Sequence, residues 1–327
     1  MPSVMTSASA SGAGFATLLN AIRNVYSAEI YFAALPNLRF DQFATRKEEL
    51  GTQPGATIVL PKMGNIRRGR TLTEGVRLET NKMSMSTASI TVGEKGNAIG
   101  MTERLLQTSF YDNLAAASML LGRDMAVFLD MELRDVVAAG TNTVFANGKA
   151  ARTQLVAGDT FTTTEIHLAC ETLETNNAPK WGNDFYICFV HPHQISSLRQ
   201  SAGWVNASLY AGSTPIFYGE VGRYNDVRFI STSIMPNGGS ATLDTDTGEY
   251  ADPGFVLALN SGVSGNQTDI YQAVMFGEYS YGHAVALPVE LRDNGVQDFG
   301  REHALAWYAI WGQGLLENNN VVVIETA

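Results

Sequence analysis

The groups in this chain that could do chemistry are few: five histidines, two cysteines and scattered charged side chains. His191 and His193 share one face of an extended stretch, so two imidazoles could ligate a metal there. The sequence offers no third ligand at a recognisable spacing, and Pro192 between them suits a strand-to-helix turn. Asp244, Asp246, Glu249 and Asp252 surround Gly248 in a partial calcium-loop pattern. The closing acidic residue of the twelve-residue pattern is missing, and an ordinary acidic turn accounts for the run. No Gly-x-Ser-x-Gly elbow and no Gly-rich loop ending in Lys-Ser/Thr is present, and neither Cys170 nor Cys188 has a neighbouring histidine. A hydrolase using His191, His193 or the acidic loop therefore has no positive motif behind it. No catalytic residue, metal or cofactor is expected.

The strongest charge feature is basic: Lys62, Arg67, Arg68 and Arg70 cluster in a short span. It lies between Ala56–Leu60, which reads as a strand, and Thr87–Val92, where apolar and polar residues alternate as in a half-buried strand. Two strands joined by a long basic tip have little core of their own and must lie on something. The whole chain is acidic, with 22 Lys and Arg against 32 Asp and Glu and a net charge of −10. That balance argues against gripping nucleic-acid phosphates as the main task. The basic tip instead suits contact with acidic groups of another subunit, where Arg–carboxylate pairs fix register.

The other elements can be placed around that loop. Residues 1–14 read as a flexible tail without the features of a secretory signal, and 15–26 carry a helical apolar period. The longest pattern runs from Thr108 to Gly140, with Ser109 placed to cap it and Phe110, Leu114, Ala117, Leu121, Met125 and Phe128 on one face. Such a rod spans roughly 45 Å. Its acidic residues Asp124, Asp130, Glu132 and Asp135 are expected to look outward, available to a neighbour's basic loop.

Beyond the rod, Thr162 and Glu165 form a capping box ahead of a short amphipathic helix. Phe185–Val190 is a continuous apolar run suited to the centre of a sheet. Further strands are expected at 227–231, 255–259, 270–276, 303–311 and 321–324, with a surface loop over 236–254. Gly312-Gln313-Gly314 and Asn318–Asn320 should separate the last two strands. Cys170 and Cys188 read as buried reduced thiols, which fits a reducing cytoplasm. No apolar run approaches a membrane span.

The order of these parts resembles a tailed-phage major capsid protein of the Hong Kong 97 type: an arm, a long two-stranded loop, a long helix, a mixed body and a terminal strand. Short stretches are similar to the major capsid family of N4-like phages. They are Leu72-Thr73-Glu74-Gly75-Val76, Gly219–Tyr224 before Val227-Arg228-Phe229, Ile270-Tyr271-Gln272 ahead of Phe276-Gly277, and Trp307-Tyr308-Ala309 through Val323-Ile324-Glu325. The likeness runs from about Ser27 to Glu325.

It implies an α+β capsid fold with an N-terminal arm over 1–52 and an extended E-loop over 53–100. A peripheral P-domain would take 101–183 and 286–327, with a spine helix at 109–139, and an axial A-domain 184–285. It further implies hexamers and pentamers tiling an icosahedral shell around double-stranded DNA, in a virion whose shell assembles in the host cytoplasm. Scaffolding would come from a separate protein, and portal and decoration proteins are possible partners. Lys62 and Lys82 lie in the loop, but nothing marks a partner for covalent cross-linking. An encapsulin-like compartment enclosing protein cargo is the alternative with the same fold.

Overall fold

A computed structural model of the chain contains a seven-stranded sheet whose middle strand is buried on both faces. The structure describes residues 39–47, 57–64, 66–69, 71, 73–75, 77, 80–108, 113–182, 184–200, 204–206, 219–235 and 270–327. The expected tail and helix before residue 38, the cap at Ser109, the surface loop at 236–254 and the strand at 255–259 lie outside these residues.

The elements follow in chain order. Strands β1 (Thr45–Lys47), β2 (Thr57–Met63), β3 (Met85–Thr91) and β4 (Gly93–Thr102) precede helices α1 (Glu103–Thr108) and α2 (Asn113–Ala138). After β5 (Thr143–Phe145) come α3 (Thr163–Thr175), β6 (Tyr186–Val190), α4 (Pro192–Leu198) and the short β7 (Val205–Asn206). The chain closes with β8 (Glu220–Tyr224), β9 (Val227–Ser231), β10 (Tyr271–Phe276), β11 (Tyr281–Gln297), β12 (Glu302–Leu315) and β13 (Val321–Thr326). Three sheets result: β5-β13-β10-β6-β9-β8-β7, β1-β11-β12-β4, and the pair β2-β3.

The seven-stranded sheet belongs to a unit made of 39–93, 129–286 and 311–327. Its middle strand is the apolar run read from the sequence, and every residue of β6 is buried. Tyr186, Cys188 and Val190 point to the face covered by Ile166, Ala169 and Leu173 of α3. Phe189 points the other way and stacks on Phe40, ring centroids 4.0 Å apart, with Phe43 and Phe276 edge-on and stacked beside it. Two-sided burial explains why β6 is apolar at every position rather than at alternate ones. The capping box holds: Thr162 N–H donates to Glu165 Oε2 at 2.9 Å, starting α3 at the expected place.

Among the described residues, the second unit comprises 94–108, 113–128 and 287–310. Here β4 carries Gly96, where an added Cβ would fall 2.7 Å from Trp307 O, so backbone meets backbone closely. Phe128 of α2 lies 5.8 Å from the Trp307 ring, with the Lys95 ammonium 5.5 Å above it.

One expectation fails and one long strand was not anticipated. The glycines at 312–314 do not break the chain, since β12 runs through them to Leu315. A Cβ at Gly312 would sit 2.1 Å from Thr91 O, so these glycines let a strand pass against backbone rather than turn. The long strand β11 had no sequence signal at all. Pro288 lies within it, an unfavourable residue for a strand, and its burial follows no simple alternation.

Candidate assembly surface

The hairpin that the sequence marked is present. β2 and β3 pair antiparallel over seven positions, from Thr57 opposite Thr91 to Met63 opposite Met85. Only its base is packed. Ile58 and Ile90 are buried with Ala284, and Leu60, Val92 and Leu316 press against them. Farther out the strands lose cover: Met63 and Met85, a direct cross-strand pair, are 62% and 63% exposed. Val59, Ile66 and Met83 are also exposed apolar side chains on this loop. This apolar strip is not among the features expected from the charges, and its signal in the sequence is the methionines at 63, 83 and 85.

The basic residues separate. Arg67 and Arg68 are exposed on the tip, and Arg70 lies outside the described residues. Lys62 is half exposed and forms an ion pair with Glu317, so its charge already has a partner within the chain.

The acidic residues of α2 depart furthest from expectation, and Asp130 requires a correction. It does not look outward: its relative exposure is 0%. Its Oδ1 accepts the backbone N–H groups of Arg39 at 3.1 Å and Phe40 at 2.8 Å, fixing that segment over the sheet. Burial pushes its carboxyl up to about 6, against the lowering influence of those two N–H donors, and Oδ2 has no partner among the described residues. Next to it, Tyr281 O–H donates to Phe40 O at 2.6 Å, and His283 lies 3.2 Å from Asp41. Burial works against ionisation of Asp41, but hydrogen bonds from His283 and Arg46 outweigh it and hold its carboxyl below the usual range.

The other three acids also have internal partners. Asp124 Oδ2 accepts from Asn97 Nδ2 at 3.0 Å and Trp307 Nε1 at 2.8 Å. Glu132 accepts from Trp311 Nε1 at 2.8 Å. Asp135 is the one of the four that is mostly exposed, and the guanidinium of buried Arg134 donates to it at 2.7 and 2.9 Å. Arg134 also donates to Ile234 O at 2.8 Å. The physical reason is the width of the buried face. Two adjacent columns, Ala117-Leu121-Met125-Leu129-Leu133-Val137 and Ser118-Ala126-Asp130-Arg134, are both covered. A polar side chain in the second column is buried because its helix position is.

The histidine pair is a turn. His191 caps α4, its Nδ1 accepting His193 N–H at 3.2 Å, and both rings pack on Tyr271. Burial lowers the pKa of His191. Among the described residues no group of three or more His, Cys, Asp or Glu is placed to hold a metal. The acidic run Asp244–Asp252 lies outside those residues. Both thiols are free: Cys188 is fully enclosed, and burial pushes Cys170 up to about 11, its Sγ 3.8 Å from Met275 Sδ. Among the described residues no helix is long and apolar enough to cross a membrane.

This arrangement has counterparts. A family model described as phage capsid protein matches residues 39–307. Among solved structures, the capsid of Ralstonia phage GP4 superposes with a TM-score of 0.68 at 16% identity, covering 87% of each chain. The capsid of cyanophage P-SCSP1u gives 0.62 at 17% identity, covering 89% of this chain and 88% of that one. The capsid of cyanophage Pam1 gives 0.62 at 14% identity, with 87% and 88% covered. No curated protein matches. The fold is of the Hong Kong 97 capsid type, and the chain belongs to the phage capsid protein family. Within that family it is a major capsid protein, a structural component of the virion.

Proposed function

We propose that this chain self-assembles into hexamers and pentamers of an icosahedral shell that encloses phage double-stranded DNA. The observation that carries the reading is the β2–β3 hairpin, anchored by a small core at its base and apolar but uncovered beyond it. A monomer gains nothing from holding such a strip in water, whereas a lattice covers it once per subunit. Arg67, Arg68 and Arg70 then meet a neighbour's acidic surface. Asp135, bound to Arg134 but still half exposed, is the acidic residue of α2 best placed to contribute, while Lys62, Asp124 and Glu132 are also engaged within the chain. The net charge of −10 suits an inner wall that stays near nucleic acid without gripping its phosphates.

The domain scheme fits this role: an arm over 1–52, an E-loop over 53–100, a P-domain over 101–183 and 286–327, and an A-domain over 184–285. Membership of the N4-like branch, assembly in the host cytoplasm, a separate scaffolding protein, and portal or decoration proteins complete the reading. Negative-stain imaging of the concentrated full chain is the test. Rings of five and six subunits and closed polyhedral shells are expected, and only monomers or irregular aggregates would overturn it. Nuclease-protected double-stranded DNA in particles separates this reading from a compartment that holds protein cargo.

A further inference from the structure

The turn between β11 and β12 holds an aromatic ring in water at a conformational cost. Asp298, Phe299 and Gly300 are all left-handed, with φ of 46°, 56° and 94°. Glycine adopts this region freely and aspartate tolerates it, but a bulky residue such as phenylalanine is strained there. The turn keeps it so. Arg301 N–H bonds Gln297 O and Asp298 O, each at 3.1 Å, and the Arg301 guanidinium lies 3.3 Å from Asp298. The strands behind are braced as well. Asp293 accepts Gly295 N–H at 2.7 Å and lies 2.9 Å from His303, while Arg292 stacks on the Tyr308 ring at 3.8 Å. On this stiff support Phe299 is 106% exposed, and Val296 beside it is also uncovered. Strain and exposure both disfavour this arrangement in a lone subunit, so a gain elsewhere must offset them.

The same unit carries a matching receptor. A half-open cavity of about 300 Å³ lies beside the turn, lined by Met101, Gln297, Glu302, His303 and Ala304 among others. Phe299 does not line it. It is roomy enough for a phenyl ring, has apolar atoms in its wall, and carries an exposed carboxylate at Glu302. Two residues beyond the knob, the Arg301 side chain is 80% exposed, and its surface pair with Asp298 leaves it able to reach a carboxylate such as Glu302 on another copy.

We infer that Phe299 is a docking knob for a second copy of this chain, entering the cavity formed by Met101, Gln297, His303 and Ala304 while its Arg301 meets the receiving copy's Glu302. Each copy both gives a knob and offers a cavity, so the contact is head-to-tail and closes into a ring where the rotation permits. A preorganised aromatic entering a pocket beside a charge pair is the pattern that concentrates binding energy in few residues. The inference rests on the shell-forming role and adds a second contact, distant in sequence from the hairpin.

The test uses the full chain. Phe299→Ser is expected to leave the circular dichroism and melting of unassembled subunits unchanged while lowering particle yield at least tenfold. Arg301→Glu and Glu302→Arg should each lower yield, and the double exchange should restore it. Mixing Phe299→Cys chains with Ala304→Cys chains should give cross-linked pairs containing one of each. Wild-type yield from Phe299→Ser, or particles without the mixed cross-link, would overturn the knob. If wild-type chains do not assemble at all, the shell-forming role fails instead, so the two failures are told apart.

Discussion

Strand β6 and the hairpin strands β2 and β3 are similar in length and all carry apolar side chains, yet they differ in what covers them. β6 sits fourth of seven strands, with α3 on one face and the Phe40–Phe43 segment on the other. The hairpin is a two-stranded sheet with a core only at its base. An isolated pair of strands is marginal in water, whereas a strand buried on both faces contributes to a single cooperative core. The contrast separates residues that fold the subunit from residues that wait for other subunits.

The widest gap in effect should appear on truncating one side chain in each region. Phe189→Ala removes a fully buried ring stacked on Phe40 and Phe276 and should cost about 3–5 kcal/mol in urea denaturation of the unassembled chain. Met85→Ala on the hairpin should stay within about 0.5 kcal/mol. Similar losses at both positions would break the comparison.

A smaller effect is set by pH, and it tests how the Phe40 segment is held on the sheet. Asp130 sits at about 6 in the folded chain against an ordinary 3.8, so the folded state holds a proton that the unfolded state has lost between these values. Its contribution is full below about pH 4 and is lost as pH rises through about 6, amounting to up to about 3 kcal/mol. Asp41, whose carboxyl is held low, acts in the opposite sense and only in stronger acid. Asp130→Asn should therefore flatten the fall in stability between about pH 4 and pH 7. An unchanged slope would assign that fall to other groups.

The smallest effect on the subunit belongs to the tip. Reversing Arg67, Arg68 and Arg70 to Glu should change subunit stability by less than about 0.5 kcal/mol while hindering assembly. Normal particles from that variant would sink the subunit contact proposed for the basic loop.

Much of the scaffold was legible in the chain because local rules and tertiary packing agree there. The unbroken run at Tyr186–Val190 required burial on both faces, Thr162 and Glu165 marked a helix start, and the alternation at 87–92 marked one hairpin strand. Legibility failed where a neighbour decided the outcome. Gly312 looked like a break, but it is small because Thr91 O passes close by. Gly140 does follow the end of α2 at Ala138, but it is not left-handed there: its small size serves Val321, whose Cγ1 would lie 2.9 Å from an added Cβ.

The sequence alone determined that the chain has a sheet core, a long amphipathic helix and a charged hairpin too thin to fold unaided, because periodicity and turn chemistry are local properties. Tertiary structure decided which polar groups the surface keeps. Asp130 is enclosed by the Phe40 segment, Asp124 and Glu132 are taken up by indole N–H groups, and Lys62 by Glu317. It also left Phe299 in water on a braced turn. Whether a side chain is free for another molecule depends on partners distant in sequence, and spacing along the chain carries no record of them.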